Sequence, residues 1–266
     1  MKIGVFIPIR LGSERLPEKC LKIVQGKTIL EHLIDRVCKS QFISSKEQIV
    51  ICTTNEPENN KLIKVLNKLG LGSFRGEKDD IIKRFYDANQ KNQFDIILQI
   101  DGDDPLITPE YCDAVIEAVC NGECEVASTS ELPFGLNVKA FSAQALSKVF
   151  SCYKTFNNET GFGLYFLDRK ICQVKEIKTF TNKHICPDVR LTLDYPDDLK
   201  LISKVIKLQG EYFSYPYSLD KIIEILTKNP EFKKINWYLQ EKHLSRSHKK
   251  VKLTYVADNI LNKVEY

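Results

Sequence analysis

The sequence lacks the features that mark membrane, secreted and zinc-binding proteins. No run approaches the ~18 consecutive apolar residues of a membrane-spanning helix, and the first apolar run is too short for a signal peptide and has no small-residue cleavage site. Cys120 and Cys124 form the only close cysteine pair, and no second pair lies at a zinc-like spacing. The four histidines show no metal-ligand or triad spacing. We therefore expect a cytoplasmic protein with no membrane insertion and no structural zinc.

The composition is that of a folded protein without a strong charge bias. Of 266 residues, 43% are hydrophobic, which excludes a disordered chain. The nine cysteines are odd in number and scattered along the chain, which favours a reducing compartment over a disulfide framework. The net charge of +4 is too small to indicate nucleic acid as a partner.

The chain shows no internal repeat and no low-complexity linker, so we expect one main domain over residues 1–240. Residues 241–266 are then a C-terminal basic extension. Within it, segment 242–250 (KHLSRSHKK) has no apolar periodicity. It predicts a solvated loop, with nucleic-acid binding as the weaker alternative.

Short β-branched runs alternate with helical patterns along the chain, which predicts an α/β fold: three α/β/α layers around a mostly parallel sheet. Segment 94–100 (FDIILQI) is apolar enough to be a strand buried on both faces. The predicted strands cover residues 2–9, 48–53, 72–75, 94–100, 125–129, 137–141, 172–178 and 190–193. The predicted helices cover residues 28–39, 58–69, 79–90, 109–119, 143–150, 196–208 and 220–227.

A basic loop, Arg10 to Lys19, follows the first strand, where parallel sheets bind ligands. Gly12 allows close approach of a ligand to the backbone, Ser13 adds a hydroxyl, and three cations, Arg10, Arg15 and Lys19, provide positive charge. Backbone N–H groups with Arg and Lys side chains suit a polyphosphate. The loop is not a P-loop, because it lacks the Gly-Lys-Ser/Thr ending. A solvated basic loop is the alternative.

An acidic turn, Asp101-Gly-Asp103-Asp104, follows the most apolar strand. Three carboxylates so close together repel one another unless a cation joins them, and such hard oxygen ligands suit Mg²⁺. The alternative is an Asx-turn or a helix N-cap before Pro109.

A third motif places Asp194 at the end of the predicted strand 190–193, where it is a candidate second metal ligand. Pro196 predicts a helix start, and Asp197 and Asp198 favour the positive end of that helix.

These motifs together resemble the cytidylyltransferases of the spore-coat polysaccharide synthesis type, which are relatives of the CMP-Kdo and CMP-sialate synthetases. The resemblance covers about residues 1–236. It is carried by P-I-R-L-G-S-E-R-L-P-E-K at 8–19, F-R-G at 74–76, D-I-I-K-R-F-Y at 80–86, G-D-D-P-L-I at 102–107, R-L-T-L-D at 190–194 and a closing segment within 217–232. It implies a nucleotide-diphospho-sugar transferase-like fold.

The resemblance implies a nucleotide site for CTP with Mg²⁺. The resemblance implies that Arg15, Lys19 and Asp103 are the catalytic residues. It also implies that Asp103 and Asp194 bind Mg²⁺. The full set of nucleotide-binding residues is Pro8, Arg10, Gly12, Ser13, Arg15, Lys19, Arg75 and Asp101. One departure lies in the loop: Glu18 stands where relatives usually have Gly.

The resemblance also implies a small sugar acceptor and a homodimer. The expected acceptor-binding residues are Asn137, Lys139, Glu159 and Arg190. Asn137 and Lys139 stand where relatives often have two acids, and the run at Glu159 also departs from the family.

The predicted reaction is attack of a sugar oxygen on the α-phosphate of CTP, with release of pyrophosphate, for surface glycan synthesis. A 3-deoxy-2-ulosonic acid is the first acceptor considered. The alternative is a sugar 1-phosphate with CTP or GTP, giving an NDP-sugar. A second alternative is a glycosyltransferase, because Asp101-Gly-Asp103 is a literal D-x-D, although that class does not need the cationic loop.

Overall fold

The computed structural model describes residues 1–155, 157–158, 161–213, 217–247, 252–257 and 260–265. The strands are β1 (Ile3–Pro8), β2 (Ile23–Val24), β3 (Lys27–Thr28), β4 (Ile49–Thr54), β5 (Gly72–Gly76), β6 (Ile96–Gln99), β7 (Val126–Thr129), β8 (Lys139–Ser142), β9 (Val174–Ile177), β10 (Lys252–Ala257) and β11 (Ile260–Glu265). The helices are α1 (Ile29–Val37), α2 (Asn60–Leu69), α3 (Ile81–Asn92), α4 (Pro109–Cys120), α5 (Ala143–Cys152), α6 (Phe162–Leu167), α7 (Pro196–Tyr212), α8 (Leu219–Lys228) and α9 (Tyr238–Ser247).

A seven-stranded sheet runs through the described residues in the order β5-β4-β1-β6-β8-β7-β9. Every neighbouring pair is parallel except the two made by β8, which is antiparallel to β6 and β7. The predicted α/β fold is confirmed. Since β8 runs against β6, its first residue lies beside the last residue of β6, at the edge where the parallel strands end.

Side chains alternate between the two faces of the sheet, and helices cover both faces. Along β1, Val5 and Ile7 join the core under α1, α2, α4, α7 and α8, whereas Phe6 joins the core under α3, α5 and α6. All six residues of β4 and all four of β6 are buried. The prediction that segment 94–100 contains a strand buried on both faces is therefore confirmed for β6.

The helix boundaries follow local signals in the sequence. Thr28 caps α1 by accepting from the Glu31 backbone N–H, and Glu31 reaches back to the N–H of Thr28, which is a capping box. Gly70 ends α2 in the left-handed conformation, with φ of 67°. Pro109 and Pro196 stand in the first turn of α4 and α7.

Two predicted elements are wrong. Residues 190–193 are not a strand: only an isolated bridge joins Arg190 to Phe134, because this segment bonds to two different loops rather than to one partner strand. Segment 242–250 is not a loop throughout, because α9 continues to Ser247; residues 248–250 lie outside the described residues.

The C-terminal extension also contains a β-hairpin that the sequence analysis missed. β10 and β11 pair antiparallel, and Leu253 and Tyr255 of β10 are buried against the helical layer of α5 and α6. The backbone N–H of Lys154 donates to the carbonyl of Thr254 at 2.7 Å. The hairpin therefore packs on the core of the domain.

All nine cysteines lie among the described residues, and each is a free thiol. Among the described helices, none combines the length and apolarity that crossing a membrane would require.

Candidate active site

The basic loop after β1 is anchored at its start by a buried asparagine. Asn59, which is fully buried, accepts from the backbone N–H of Leu11 at 2.9 Å and donates to the hydroxyl of Thr54 at 2.7 Å. The backbone N–H of Glu18, near the end of the loop, donates a hydrogen bond to the carbonyl of Leu11 at 3.2 Å. The loop is therefore closed at its base, which fixes where Arg15 and Lys19 project.

Glu18 adopts a left-handed conformation within this loop, with φ of 54° and ψ of 31°. L-residues other than Gly, Asn and Asp rarely adopt it, which gives a physical reason for the glycine that relatives carry. The Glu18 carboxylate bonds to the Lys61 ammonium at 2.5 Å.

The acidic turn after β6 lies directly against the end of β1. A Cβ atom on Gly102 would lie 2.4 Å from Cγ1 of Ile9 and 2.7 Å from the carbonyl oxygen of Pro8. Only glycine permits this approach without a shift of the backbone. The glycine therefore allows Asp103 to come within reach of the basic loop.

Asp194 reaches the same place on an extended segment held from both sides. The N–H of Leu193 donates to the carbonyl of Asp103, and the N–H of Leu191 to the carbonyl of Phe134, each at 2.7 Å. Gly135, with φ of +95°, lies so close that a Cβ there would be 2.4 Å from the nitrogen of Thr192.

The four central residues of the prediction meet in one cluster. The Nζ atom of Lys19 lies 2.7 Å from Oδ2 of Asp103 and 3.1 Å from Oδ1 of Asp194. Nη2 of Arg15 lies 2.5 Å from that same Oδ1 atom. Residues separated by more than 80 positions in sequence thus form a network of two cations and two carboxylates.

Burial and charge act in opposite directions on the two cations. Burial lowers the pKa of Lys19, but the negative charges of Asp103 and Asp194 outweigh it and raise this pKa above its ordinary value. Burial and the charge of Asp194 oppose each other in the same way at Arg15, whose pKa is also raised. Both side chains therefore carry their positive charge at neutral pH.

The other two acids of the turn lie in a different electrostatic environment. Burial raises the pKa of Asp101, opposed by the nearby charge of Lys139. Burial and the charges of Asp103 and Asp101 raise the pKa of Asp104 well above its usual range. Asp103 is the acid of the turn that bonds to the basic loop.

A buried ion pair supports Asp194 from behind. Arg190, with 1% of its surface exposed, bonds to Asp198 at 2.9 Å through Nε and at 3.1 Å through Nη2. Asp198 also accepts from the backbone N–H groups of Asp194 and Tyr195, each at 2.9 Å. Asn236 donates to Asp198 at 2.8 Å. This network orients the turn that presents Asp194.

Arg190 is expected from the sequence to contact the acceptor, but the structure buries it. It also donates to Gln240 at 3.1 Å and to Asp194 at 3.5 Å, and it lies over the ring of Phe134. Because none of the guanidinium group reaches the surface, Arg190 is placed to position Asp194. Asp197 lies at the start of α7, and it bonds to Lys200 and Tyr238.

The remaining nucleotide-side residues lie along the same edge of the sheet. Pro8 ends β1, Arg10 and Gly12 are exposed, and Ser13 is half-buried. Arg75 lies on β5, two strands from β1, at that edge. Its guanidinium group donates to the carbonyls of residues 54–56 and to Asn60, so it shapes the loop after β4.

The acceptor-side residues are found on the other flank of the acidic turn. Lys139 begins β8, and Asn137 is exposed just before it. Glu159 lies outside the described residues.

Two carboxylates that converge on one ammonium group can also converge on a metal ion. Asp103 and Asp194 both contact Nζ of Lys19, and their oxygen ligands suit Mg²⁺. No cluster of three or more His, Cys, Asp or Glu side chains suited to a metal lies within the described ranges. The acid pair fits a cation that takes its other ligands from a phosphate and water, as Mg²⁺ does at nucleotide sites.

Several polar residues that build this site are not predicted from the sequence. Asn59 anchors the basic loop, Asn236 bonds to Asp198, and Gln99, 1% exposed, donates to Asp101 at 2.8 Å. Gln99 left a signal, because it is a polar residue at the end of the most apolar strand. Asn59 and Asn236 left none, since Leu11 and Asp198, which they bond, lie 48 and 38 positions away in sequence.

The sequence matches the cytidylyltransferase family over residues 5–242. An uncharacterized protein of Methanocaldococcus jannaschii is 30% identical over 91% of this chain and 97% of its own length. The spore coat polysaccharide biosynthesis protein SpsF of Bacillus subtilis is 24% identical over 85% of this chain and 94% of its own. A solved cytidylyltransferase of Leptospira borgpetersenii superposes with a TM-score of 0.76 at 26% identity, over 87% of this chain and 96% of that one.

Proposed function

This chain belongs to the cytidylyltransferase family and is a nucleotidyltransferase, and on that premise we propose that it joins CTP to a sugar acceptor and releases pyrophosphate. The proposed acceptor is a 3-deoxy-2-ulosonic acid, and the proposed setting is surface polysaccharide or glycan synthesis in the cytoplasm. The likeness to a spore coat polysaccharide biosynthesis protein supports that setting. The sequence similarity to 3-deoxy-manno-octulosonate cytidylyltransferases supports that acceptor.

One observation carries the proposal: Arg15 and Lys19 of the basic loop meet Asp103 and Asp194 at one point of the sheet edge. A nucleoside triphosphate needs cations for its phosphates and carboxylates for its divalent cation, and this cluster supplies both. A glycosyltransferase D-x-D would need Asp101 and Asp103 to act together. Here Asp101 bonds to Gln99 and Asp103 to Lys19.

In the proposed reaction, the attacking sugar oxygen forms a bond to the α-phosphorus, and the bond from that phosphorus to the β-phosphate oxygen breaks. Pyrophosphate leaves with the electron pair, and the hydroxyl proton passes to solvent. Arg15 and Lys19 bind the phosphate oxygens and neutralise the charge that grows on the leaving group. Arg190 and Asp198 hold Asp194 in place while this occurs.

Asp103 and Asp194 are the residues that would hold Mg²⁺. When bound, that ion would add positive charge beside the phosphates and help orient the two reactants.

The experiment is a pyrophosphate-release screen of the four ribonucleoside triphosphates against 2-ulosonic acids and sugar 1-phosphates. We expect release with CTP and a 2-ulosonic acid in the presence of Mg²⁺. Release with sugar 1-phosphates alone would replace the proposed acceptor by the alternative one. The Asp103→Asn variant serves as the background control, because it keeps the size of the side chain and removes its charge.

Failure of every nucleotide to give pyrophosphate above that control would contradict the proposal. We also propose that the chain acts as a homodimer, which light scattering of the purified protein tests. A mass close to one chain, 30.6 kDa, would contradict this.

A further inference from the structure

A second cation, Lys139, lies at the same sheet edge as the catalytic cluster, on its opposite flank. Gln99 ends β6, and Lys139 begins the antiparallel strand β8; the two are register partners. Because β6 lies between β1 and β8, the acidic turn that follows β6 has the basic loop on one side and Lys139 on the other.

A buried amide fixes the ammonium group of Lys139. Nζ of Lys139 donates to Oε1 of Gln99 at 2.7 Å, and Nε2 of Gln99 donates to Oδ1 of Asp101 at 2.8 Å. Gln99 is 1% exposed, and these two hydrogen bonds use both its carbonyl oxygen and its amide nitrogen. This chain of hydrogen bonds ties the position of Lys139 to the acidic turn.

Among the residues that the structure describes, Lys139 forms no ion pair of the kind that the other cations at this site form with carboxylates. Arg15 and Lys19 pair with Asp103 and Asp194, and Arg190 pairs with Asp198. Within the described part of the chain, Lys139 has no carboxylate within 4.0 Å and bonds to a neutral amide. An ammonium group has three donors, and this bond uses one.

The space around this ammonium group is kept open by a glycine. A Cβ on Gly163, at the start of α6, would lie 3.3 Å from Nζ of Lys139. The ring of Phe162 lies 5.8 Å from the same atom. Lys139 is therefore half-buried beneath the start of α6, with an apolar ring on one side, where a charge-assisted hydrogen bond is stronger than in open water.

We propose that Lys139 binds the anionic group of the sugar acceptor, a carboxylate or a phosphate, and that Gln99 is the residue that positions it. This inference rests on the proposed function. It divides the cations of the edge into two sets: Arg15 and Lys19 for the nucleotide, and Lys139 for the acceptor. The acceptor is thereby held beside Asp101, on the side of the acidic turn away from the basic loop.

The test compares a 2-ulosonic acid with its methyl ester, which is the same sugar without the negative charge. With CTP and Mg²⁺, the unaltered protein should prefer the acid by ~10- to 100-fold in kcat/KM, as one charge-assisted hydrogen bond implies. Lys139→Met should remove that preference, mainly by raising the KM for the acid, and leave the KM for CTP unchanged. Lys139→Arg should restore most of it.

Gln99→Met should raise the KM for the acid with little change in kcat, because the ammonium group stays but is no longer held. The matched control is Lys175→Met, on β9 at the far end of the sheet, where Lys175 is exposed and bonds to Glu123. It should leave the preference unchanged. A Lys139→Met enzyme that still prefers the acid would overturn the proposal.

Calorimetry separates this inference from the proposed function. Titration of the unaltered protein with the acid, the ester and a sugar 1-phosphate should show binding of an anionic sugar and weaker binding of the ester. If no nucleotide gives pyrophosphate but an anionic sugar binds in a Lys139-dependent way, only the proposed reaction fails. Equal binding of acid and ester, with no binding of the sugar 1-phosphate, would overturn the anion site even where Lys139→Met does not fold.

Discussion

Lys19 donates from its ammonium group to Asp103 at 2.7 Å, across 84 positions of sequence. The same ammonium group also reaches Asp194 at 3.1 Å. A cation of the chain itself therefore lies between the two acids proposed to hold a metal, and a triphosphate that attracts Lys19 would release those acids.

This relationship predicts that a divalent cation binds poorly to the protein alone and well together with CTP. Lys19→Met removes the competing charge, so Mn²⁺ should bind that variant about tenfold more tightly without nucleotide, a change of ~1.4 kcal/mol. Electron paramagnetic resonance of free Mn²⁺ measures both affinities. Lys22→Met, at an exposed lysine three residues after the basic loop, is the control. Equal Mn²⁺ affinity in the Lys19→Met variant and the unaltered protein would contradict the prediction.

Loss of either loop cation should impair use of the nucleotide. Arg15→Ala and Lys19→Ala should each lower kcat/KM for CTP by ~10²-fold or more, because a preorganised charge that stabilises the leaving pyrophosphate is removed. Steady-state kinetics with saturating acceptor measures this. The KM for the acceptor should change less. Unchanged kinetics for CTP in both variants would rule out the assigned triphosphate site.

Asp103→Asn should abolish turnover that depends on a divalent cation. The amide keeps the shape of the side chain but loses the charge that the cation needs. It also breaks the ion pair to Lys19, so Mg²⁺ titration of activity, rather than stability, is the measurement. Asp197→Asn, at the start of α7, where the side chain bonds to Lys200 and Tyr238, should keep its Mg²⁺ dependence. Full activity of Asp103→Asn would contradict the metal assignment.

The left-handed conformation of Glu18 predicts that two substitutions at this position differ in their effect on stability. Its φ of 54° favours glycine, and a β-branched residue is strained there. Glu18→Gly and Glu18→Val should therefore differ by ~1–2 kcal/mol in the free energy of unfolding, with the Gly variant the more stable. Both lose the exposed ion pair to Lys61, so that loss cancels in the comparison. Urea unfolding measures the difference, and equal stabilities would show that the loop is not held in this conformation.

Part of the candidate site could be predicted from the sequence, because it depends on where strands end and on local patterns of polar residues. Lys19 and Asp103 each follow a strand that ends at the same edge of the sheet, so their proximity follows from the parallel order of β1 and β6. The helix caps at Thr28 and Gly70 are equally local signals.

Contacts between residues that lie far apart in sequence could not be predicted in this way. Arg190 belongs to an extended, apolar segment that reads as a strand, and only the fold shows that its guanidinium group is buried against Asp198. Leu253 and Tyr255 carry a period of two that indicates a strand, but no element was predicted after the basic run 242–250. Three of the four partners of Arg75 are backbone carbonyls, which leave no trace in side-chain patterns.

Gly102 should tolerate no side chain, because the acidic turn lies against β1. A methyl group there would be 2.4 Å from Ile9 and 2.7 Å from the carbonyl of Pro8, so the turn must move away from the basic loop. Gly102→Ala should cost ~1–3 kcal/mol of stability and lower kcat by ~10²-fold, because misplacement of a reacting group by about 1 Å has that effect. Gly210→Ala in α7 is the control, since a Cβ there would meet nothing within 4 Å apart from its own turn of helix, and it should stabilise the helix by ~0.5–1 kcal/mol. Thermal unfolding and steady-state kinetics on the same samples test both effects. A Gly102→Ala enzyme with unaltered kcat would mean that the contact between the turn and β1 does not set the distance from Asp103 to Lys19.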